Sequence, residues 1–205
     1  EFVLGGAANV AANLAALGFR PILYTLVGEE IIPGASLVEG HRSQINNTLA
    51  NIEIRRLLDR IRVEYRLFPQ GDTLVKQRVM ERSHAGYIAR VDYGESRIEP
   101  LRVSHRQALL HDLLTQECIR ALALSDYNKN CFTTGLATEL ISDARARKIP
   151  VFADPKPSNI ASFKRAFLIR PNEREARAIT HLPDARIDAV AYQLQKDTRA
   201  KHIVI

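Results

Sequence analysis

Short apolar runs alternate along this chain with longer segments in which apolar residues recur every three or four positions. The short runs predict β-strands and the longer segments predict amphipathic helices. Strands are predicted at 22–27, 121–124, 151–153, 166–169 and 202–205. Helices are predicted at 7–17, 48–60, 103–118, 134–148, 172–179 and 187–196, and residues 31–47 are predicted to be irregular. The alternation predicts an α/β fold, with a mostly parallel sheet covered by helices on both faces.

Two adjacent runs, 74–81 and 88–91, interrupt this alternation. They flank the sequence Ser-His-Ala-Gly, which favours a turn, and so they predict a pair of neighbouring strands. We expect a small separate sheet that covers a ligand site, within a lid of about residues 64–93. The alternative is an ordinary exposed strand pair with alternating polar residues.

Length and composition limit the classes of protein to consider. The chain has 205 residues, 46% of them hydrophobic, which suits one domain or a large part of one. No apolar run approaches the roughly 18 residues of a membrane-spanning helix, and no leader sequence is visible, so we expect a cytoplasmic protein without membrane contact.

Cys118 and Cys131 fit no metal or redox motif, and we expect both to be buried free thiols.

The net charge of +6 favours anionic ligands. The basic residues are scattered, apart from a mild cluster at Lys164, Arg165, Arg170, Arg174 and Arg177. Aromatic residues do not alternate with them, so we expect no nucleic-acid binding, whereas a phosphorylated small molecule is compatible with this charge.

A glycine pair opens the first predicted helix. Gly5 and Gly6 carry no Cβ, so a ligand can approach the backbone there, and the first helical N–H groups point towards it. Asn9 adds side-chain donors and an acceptor beside this opening. The alternative is a glycine turn before a closely packed alanine-rich helix.

Polar residues follow three consecutive predicted strands. These segments are Ser125-Asp126-Tyr127-Asn128-Lys129, Asp154-Pro155-Lys156 and Arg170-Pro171-Asn172-Glu173-Arg174-Glu175. Because ligands bind beyond the carboxyl ends of parallel strands, the three segments together favour a site for a phosphorylated ligand and its metal ion. Each segment alone also suits local turn or cap chemistry, with Asn172 as an N-cap and Glu175 at the capping-box position.

These motifs resemble those of the ribokinase-like (PfkB) carbohydrate kinases. The run Gly-Gly-x-x-x-Asn, then Ser-Asp-Tyr-x-Lys, Asp-Pro-Lys and Pro-Asn-x-x-Glu occur in this order in the branch of heptose-7-phosphate kinases. Residues 72–79 and 89–93 are similar to the Thr-x-Lys-x-Arg-Val and Arg-x-Asp patterns of the same branch. The resemblance implies a three-layer α/β/α fold with a mostly parallel sheet and a small β lid.

The resemblance also implies roles for individual residues. The substrate-binding residues would be Gly5, Gly6, Asn9, Lys76, Arg78, Arg90, Asp92, Asp126 and Lys129. Lys156, Asn172 and Glu175 would bind the nucleotide phosphates. Asn172 and Glu175 would also organise Mg²⁺ through ordered water, with ATP as co-substrate. A homodimer is expected on the same grounds.

Parts of the family pattern are absent or altered. No Gly-x-Gly-Asp occurs in the 205 residues, so no catalytic residue is identified, and the general-base aspartate is expected beyond Ile205. We therefore expect a partial kinase domain, truncated at both ends and inactive alone. Pro157 replaces a family glycine, and residues 29–70 match the family poorly.

The expected function is ATP-dependent phosphorylation of D-glycero-D-manno-heptose 7-phosphate at its anomeric hydroxyl. The product would be the 1,7-bisphosphate used in lipopolysaccharide core biosynthesis. The alternatives are a non-catalytic module for sugar-phosphate binding or subunit interaction, and another PfkB-type sugar or nucleoside kinase.

Overall fold

The computed structural model describes residues 2–30, 42–81, 87–95, 99–132 and 135–205. The chain forms two compact units, Glu1–Glu99 and Pro100–Ile205. Within the described residues, no helix is long and apolar enough to cross a membrane.

The first unit contains two parallel strands with helices beside them. Its elements are α1 (Gly6–Ala16), β1 (Ile22–Val27), α2 (Arg42–Arg60) and β2 (Glu64–Pro69). Strands β1 and β2 pair in parallel from Ile22 opposite Glu64 to Val27 opposite Pro69. Their small core contains Ala8, Ala11, Leu23, Leu58 and Val63. The alanines of α1 are thus explained by close packing of one helix face on this core.

Two elements of this unit differ from the sequence expectation. Helix α2 begins at Arg42 rather than at 48, and β2 was not predicted. The early part of α2 is largely polar, and among its described side chains it buries the amides of Asn47 and Asn51. An apolar periodicity therefore could not reveal the start of this helix. The other part of the segment predicted to be irregular, residues 31–41, lies outside the described ranges.

A separate two-stranded sheet follows, as predicted. Strands β3 (Val75–Met80) and β4 (Tyr87–Tyr93) are antiparallel, with an irregularity between Val79 and Met80. The turn predicted at 83–86 lies outside the described residues. Strand β2, which the sequence placed within the lid range, pairs with β1 rather than with this hairpin.

The second unit is a parallel α/β arrangement, as predicted. Its elements are α3 (Val103–Thr115), β5 (Leu122–Ser125), α4 (Leu136–Ala146), β6 (Val151–Asp154), a 3₁₀ helix (Pro157–Phe163), β7 (Leu168–Ile169), α5 (Glu173–Thr180), α6 (Ile187–Thr198) and β8 (His202–Ile203). The four strands lie side by side in chain order and all run parallel. This brings the carboxyl ends of β5, β6 and β7, each followed by a polar segment, to one edge of the sheet.

Buried apolar side chains hold the second unit together. Strand residues Leu124, Val151, Ala153 and Ile169 are buried, as is Phe163 of the 3₁₀ helix, which the sequence did not predict. Pro157 is the first residue of that helix, a position where its missing N–H leaves no helical bond unmade.

Gly28 directly follows β1 and lies unusually close to other parts of the first unit. A Cβ added there would overlap the side chain of Asn47 and the backbone nitrogen of Thr73. We therefore expect Gly28→Ala to lower the free energy of unfolding by about 1–3 kcal/mol, a typical cost of overpacking. Denaturant unfolding followed by circular dichroism measures this.

The matched control is Gly5→Ala. Gly5 has a φ of −119°, and an added Cβ would meet no atom within 4 Å. If both substitutions destabilise the chain equally, close packing at Gly28 is not the cause.

Candidate functional site

A buried carboxylate joins the ends of β5 and β6. Asp126 is only 3% exposed. Its Oδ1 accepts a hydrogen bond from the Asn128 backbone N–H at 2.7 Å, and its Oδ2 accepts from the Lys156 backbone N–H at 3.1 Å. The Asn159 side chain also donates to Oδ2, at 2.8 Å. These three donors compensate the buried negative charge and fix both loops at the sheet edge.

A capping box begins α5, as the sequence predicted. Asn172 is the N-cap, and its Oδ1 accepts from the Glu175 backbone N–H at 2.9 Å. The Glu175 Oε2 accepts in return from the Asn172 backbone N–H at 3.1 Å. Both residues therefore have a local structural role, whatever ligand they contact.

The capping glutamate also contacts the loop after β6. Lys156 Nζ donates to Glu175 Oε1 at 2.5 Å. The side chains of Lys156 and Glu175 are 30% and 15% exposed, so the ion pair is partly shielded from water. This pair connects the polar segments that follow β6 and β7.

The pKa values of the pair shift in opposite directions. The hydrogen bond from Lys156 to Glu175 is the main cause that raises the pKa of Lys156, although burial of the lysine acts in the opposite direction. Burial alone would raise the pKa of Glu175, but hydrogen bonds from Lys156 and Asn172 outweigh burial and lower it. Both groups are therefore charged at neutral pH. The stabilisation from the pair is lost as pH falls through the folded pKa of Glu175 or rises through that of Lys156.

Asp154 completes this cluster, although the sequence did not single it out as a site residue. Burial is the main cause that raises its pKa, and the negative charges of Glu175 and Asp126 act in the same direction. The cations Lys156 and Arg170 partly oppose that rise. The Asp-Pro-Lys motif was the available signal, because it places this carboxylate at the strand end directly before the lysine.

The oxygen atoms at the start of α5 suit an indirect role in binding Mg²⁺. Among the described residues, no group of three or more His, Cys, Asp or Glu could hold a metal ion directly. The Asn172 and Glu175 oxygens that accept hydrogen bonds each keep further lone-pair capacity for ordered water. A hard cation that retains several waters fits such a donor set.

The glycine pair and Asn9 lie in the first unit, at the start of α1. Gly5 is the N-cap, and Gly6 adopts a φ of 54°, in the left-handed region that favours glycine. Asn9 is exposed, whereas Ala8 and Ala11 face the core. The helix start is therefore open on the side that the sequence assigned to a ligand.

The four charged residues of the hairpin share one face. Lys76 lies opposite Asp92, and Arg78 lies opposite Arg90, in the antiparallel register. A terminal guanidinium nitrogen of Arg90 donates to Asp92 Oδ2 at 2.9 Å, and Nε of Arg90 lies 2.8 Å from Oδ1 in the same ion pair. Lys76 and Arg78 are exposed, so the face presents three cations and one carboxylate.

The structure thus brings the predicted site residues together in two groups. Asp126, Lys156, Asn172 and Glu175 are linked within the second unit, and Lys129 lies half-buried in the loop after β5. The glycine pair, Asn9 and the charged hairpin face belong to the first unit. Sequence reasoning missed Asn159, whose amide reaches Asp126 from the unpredicted 3₁₀ helix.

One expectation about the cysteines was wrong. Cys118 is exposed, because α3 ends at Thr115 and not at 118 as predicted. Cys131 is partly buried, and burial together with the negative charge of Asp126 raises the pKa of its thiol to about 11.

Comparison with solved structures identifies the class of fold. The chain superposes on the tetrameric inhibited form of phosphofructokinase-2 from Escherichia coli with a TM-score of 0.69, at 18% identity over 98% of this chain and 61% of that one. It superposes on a PfkB protein from Polaromonas sp. JS666 with a TM-score of 0.61, at 15% identity over 96% of this chain and 64% of that one. The chain therefore has the ribokinase-like fold of the PfkB kinases.

The sequence comparison is more specific. The chain is 36% identical to the bifunctional protein HldE of Pseudomonas fluorescens over 176 residues, 85% of this chain and 32% of that protein. It is 33% identical to the HldE of Pseudomonas putida over 196 residues, 94% of this chain and 36% of that protein. The resemblance to PfkB kinases of the heptose-kinase branch is thereby confirmed.

The chain spans about a third of the length of these HldE relatives. No family model matches it.

Asp126 should be essential for the stability of the second unit. Asp126→Ala leaves three N–H donors without their acceptor, and we expect a loss of about 3 kcal/mol in the free energy of unfolding. Asp184→Ala, which removes an exposed carboxylate, is the control and should change stability little. Equal stability of the two variants in denaturant titrations would show that Asp126 does not organise these loops.

The two thiols should react at very different rates. At pH 8 a group with a pKa of about 11 is ionised to only about one part in a thousand, so Cys131 should label slowly with Ellman's reagent. The exposed Cys118 should label fast, and Cys118→Ser should remove the fast phase. The slow rate should rise about tenfold per pH unit up to the pKa. Two equally fast phases in the wild type would contradict this assignment.

Proposed function

We propose that this chain is the sugar-binding and phosphate-organising part of an ATP-dependent sugar kinase. The proposed substrate is D-glycero-D-manno-heptose 7-phosphate, phosphorylated at the anomeric hydroxyl to the 1,7-bisphosphate for lipopolysaccharide core biosynthesis. Two findings support this: 33–37% identity to HldE proteins, which are heptose kinase/adenylyltransferases, and the PfkB fold. The observation that carries the choice of substrate is the cationic face of the hairpin.

The hairpin face suits a phosphate that the substrate already carries. Lys76 and Arg78 have exposed cationic groups on one face, and neither forms an ion pair with any residue in the described part of the chain. Arg90 is fixed in direction by Asp92, which reduces the entropy that an arginine loses when it binds an anion. A phosphate monoester accepts several charge-assisted hydrogen bonds, each stronger than a neutral one.

The second unit suits the nucleotide. We assign Lys156, Asn172 and Glu175 to the phosphates of ATP and to water around Mg²⁺, and Asp126 and Lys129 to the neighbourhood of the sugar. ATP supplies the phosphoryl group, and the cation neutralises its charge. Lys156 would add a point charge beside the phosphates once it leaves Glu175, and the capping box holds Asn172 and Glu175 at fixed positions for this contact.

The chemistry assigned to these residues is binding and positioning. None of the 205 residues lies in a Gly-x-Gly-Asp motif, and we assign no general base among them. We further propose a homodimer that works in the cytoplasm, by analogy with the kinases that the chain resembles.

The proposal predicts a phosphate-specific loss of affinity. Isothermal titration calorimetry compares heptose 7-phosphate with the unphosphorylated heptose on the 205-residue chain. Lys76→Ala and Arg78→Ala should each lower the affinity for the sugar phosphate about tenfold, which is the contribution of one charge-assisted hydrogen bond. Neither substitution should change the weak affinity for the unphosphorylated sugar. Lys196→Ala, an exposed lysine in α6, is the control and should change neither.

Several outcomes are informative. Equal binding of fructose 6-phosphate would favour another PfkB-type kinase. Binding of the heptose phosphate without any effect of ATP or Mg²⁺ would favour a non-catalytic module. No binding of heptose 7-phosphate at millimolar concentration would contradict the proposed substrate.

A further inference from the structure

A buried network of amides and a hydroxyl lies at the base of the hairpin, within the first unit. Asn47 and Asn51, one turn apart on α2, are 3% and 0% exposed, and Thr73 is 8% exposed. The Thr73 hydroxyl donates to Asn51 Oδ1 at 2.6 Å and accepts from the Gly28 backbone N–H at 2.7 Å. The Thr73 backbone N–H donates to Asn47 Oδ1 at 2.8 Å. Thr73 therefore has its N–H and its hydroxyl fixed by α2 and by the end of β1.

The same amides fix the residues on either side. Asn51 Nδ2 donates to the Gly28 carbonyl at 2.8 Å. Asn47 Nδ2 contacts the Gly71 carbonyl at 3.3 Å and Asp72 Oδ1 at 3.1 Å. The chain segment that leads into β3 is thus held at three consecutive residues before the strand begins.

The far end of the hairpin returns to the same point. Gly94 directly follows β4 and has a φ of 84°. A Cβ placed there would lie 2.7 Å from the Thr73 carbonyl oxygen, so the two backbones are in close contact. Both arms of the hairpin therefore meet at Thr73.

We propose that Thr73, with Asn47 and Asn51, is a positioning site that sets the direction of the charged hairpin face. Lys76 and Arg78 lie three and five residues after Thr73, on a two-stranded sheet whose described side chains are mostly exposed. An isolated hairpin is marginally stable in water, so its orientation depends on how its base is held. The consequence for phosphate affinity rests on the function proposed above, whereas the fixing of the hairpin does not.

The central variant is Thr73→Val, which keeps the shape of the side chain and removes the hydroxyl. It leaves the Gly28 N–H and Asn51 Oδ1 without their partner. Thr73→Ser keeps the hydroxyl and is the rescue control. Arg56→Ala is the second control, because the exposed Arg56 of α2 pairs with Glu53 and forms no hydrogen bond with Thr73, Asn47 or Asn51.

Hydrogen exchange of backbone amides tests the fixing without any ligand. In Thr73→Val, amides of β3 and β4 should exchange about tenfold faster, while those of β5, β6 and α5 keep their wild-type rates. Thr73→Ser and Arg56→Ala should leave the hairpin rates close to wild type. Uniformly faster exchange over the whole chain, or unchanged hairpin rates, would overturn the proposal.

Calorimetry with heptose 7-phosphate tests the consequence. Thr73→Val should lower the affinity for the sugar phosphate about tenfold and leave the affinity for the unphosphorylated heptose nearly unchanged. A general loss of stability would not produce this difference between the two ligands. If the wild type does not bind heptose 7-phosphate, the proposed function fails and the exchange result alone decides the positioning site. If Thr73→Val does not fold, Asn47→Ala replaces it in both measurements, because it keeps the Thr73 hydroxyl bonds.

Discussion

The buried carboxylate of Asp126 is the interaction on which the second unit's polar edge depends. A charge this deep is tolerated only when hydrogen-bond donors surround it, and here they come from the loops after β5 and β6 and from the 3₁₀ helix. By fixing the backbone of Lys156, the carboxylate also fixes where that side chain starts. Lys156 then reaches Glu175, which caps α5. One buried acid thus organises three successive strand ends into one cluster.

In the first unit, buried polar groups are satisfied by side-chain amides and a hydroxyl rather than by a buried carboxylate. Where β1 ends, the chain turns away with buried backbone N–H and C=O groups that need partners. Asn47 and Asn51 supply these partners through side-chain amides, each of which both donates and accepts, and Thr73 adds a hydroxyl that does the same. The same amides also donate to two carboxylates, Asn47 to Asp72 and Asn51 to Glu30, so the network extends from buried backbone groups to charged side chains beside it.

Local sequence patterns predicted most of the elements but not all of them. Strand β1 was predicted at its observed bounds because a run of apolar, aromatic and β-branched residues lies between Pro21 and Gly28. The cap at Asn172 was predicted because its chemistry depends on residues three apart. Helix α2 was predicted too short because its early part is largely polar, and its buried Asn47 bonds Asp72 and Thr73, which are more than twenty residues away. Contacts between distant segments leave no periodic pattern, and the buried position of Asp126 was unpredictable for the same reason.

The number of lone pairs on Asp126 and Glu175 limits how many further hydrogen bonds these acids at the polar edge can accept. An ionised carboxylate offers about four lone-pair sites, and Asp126 already uses three of them for loop donors. It therefore has room for about one further contact, which under the proposed function would be a single sugar hydroxyl. Glu175 has one oxygen occupied by its cap and the other by Lys156, and the lysine is the partner that can leave without undoing the helix start. Under the proposed function, a nucleotide that drew Lys156 towards its phosphates would release Glu175 Oε1 from the ion pair and add one acceptor position to those already open to water around the metal ion. In that case the positive charge and the additional acceptor position would become available together, and this single ion pair would couple nucleotide and metal binding.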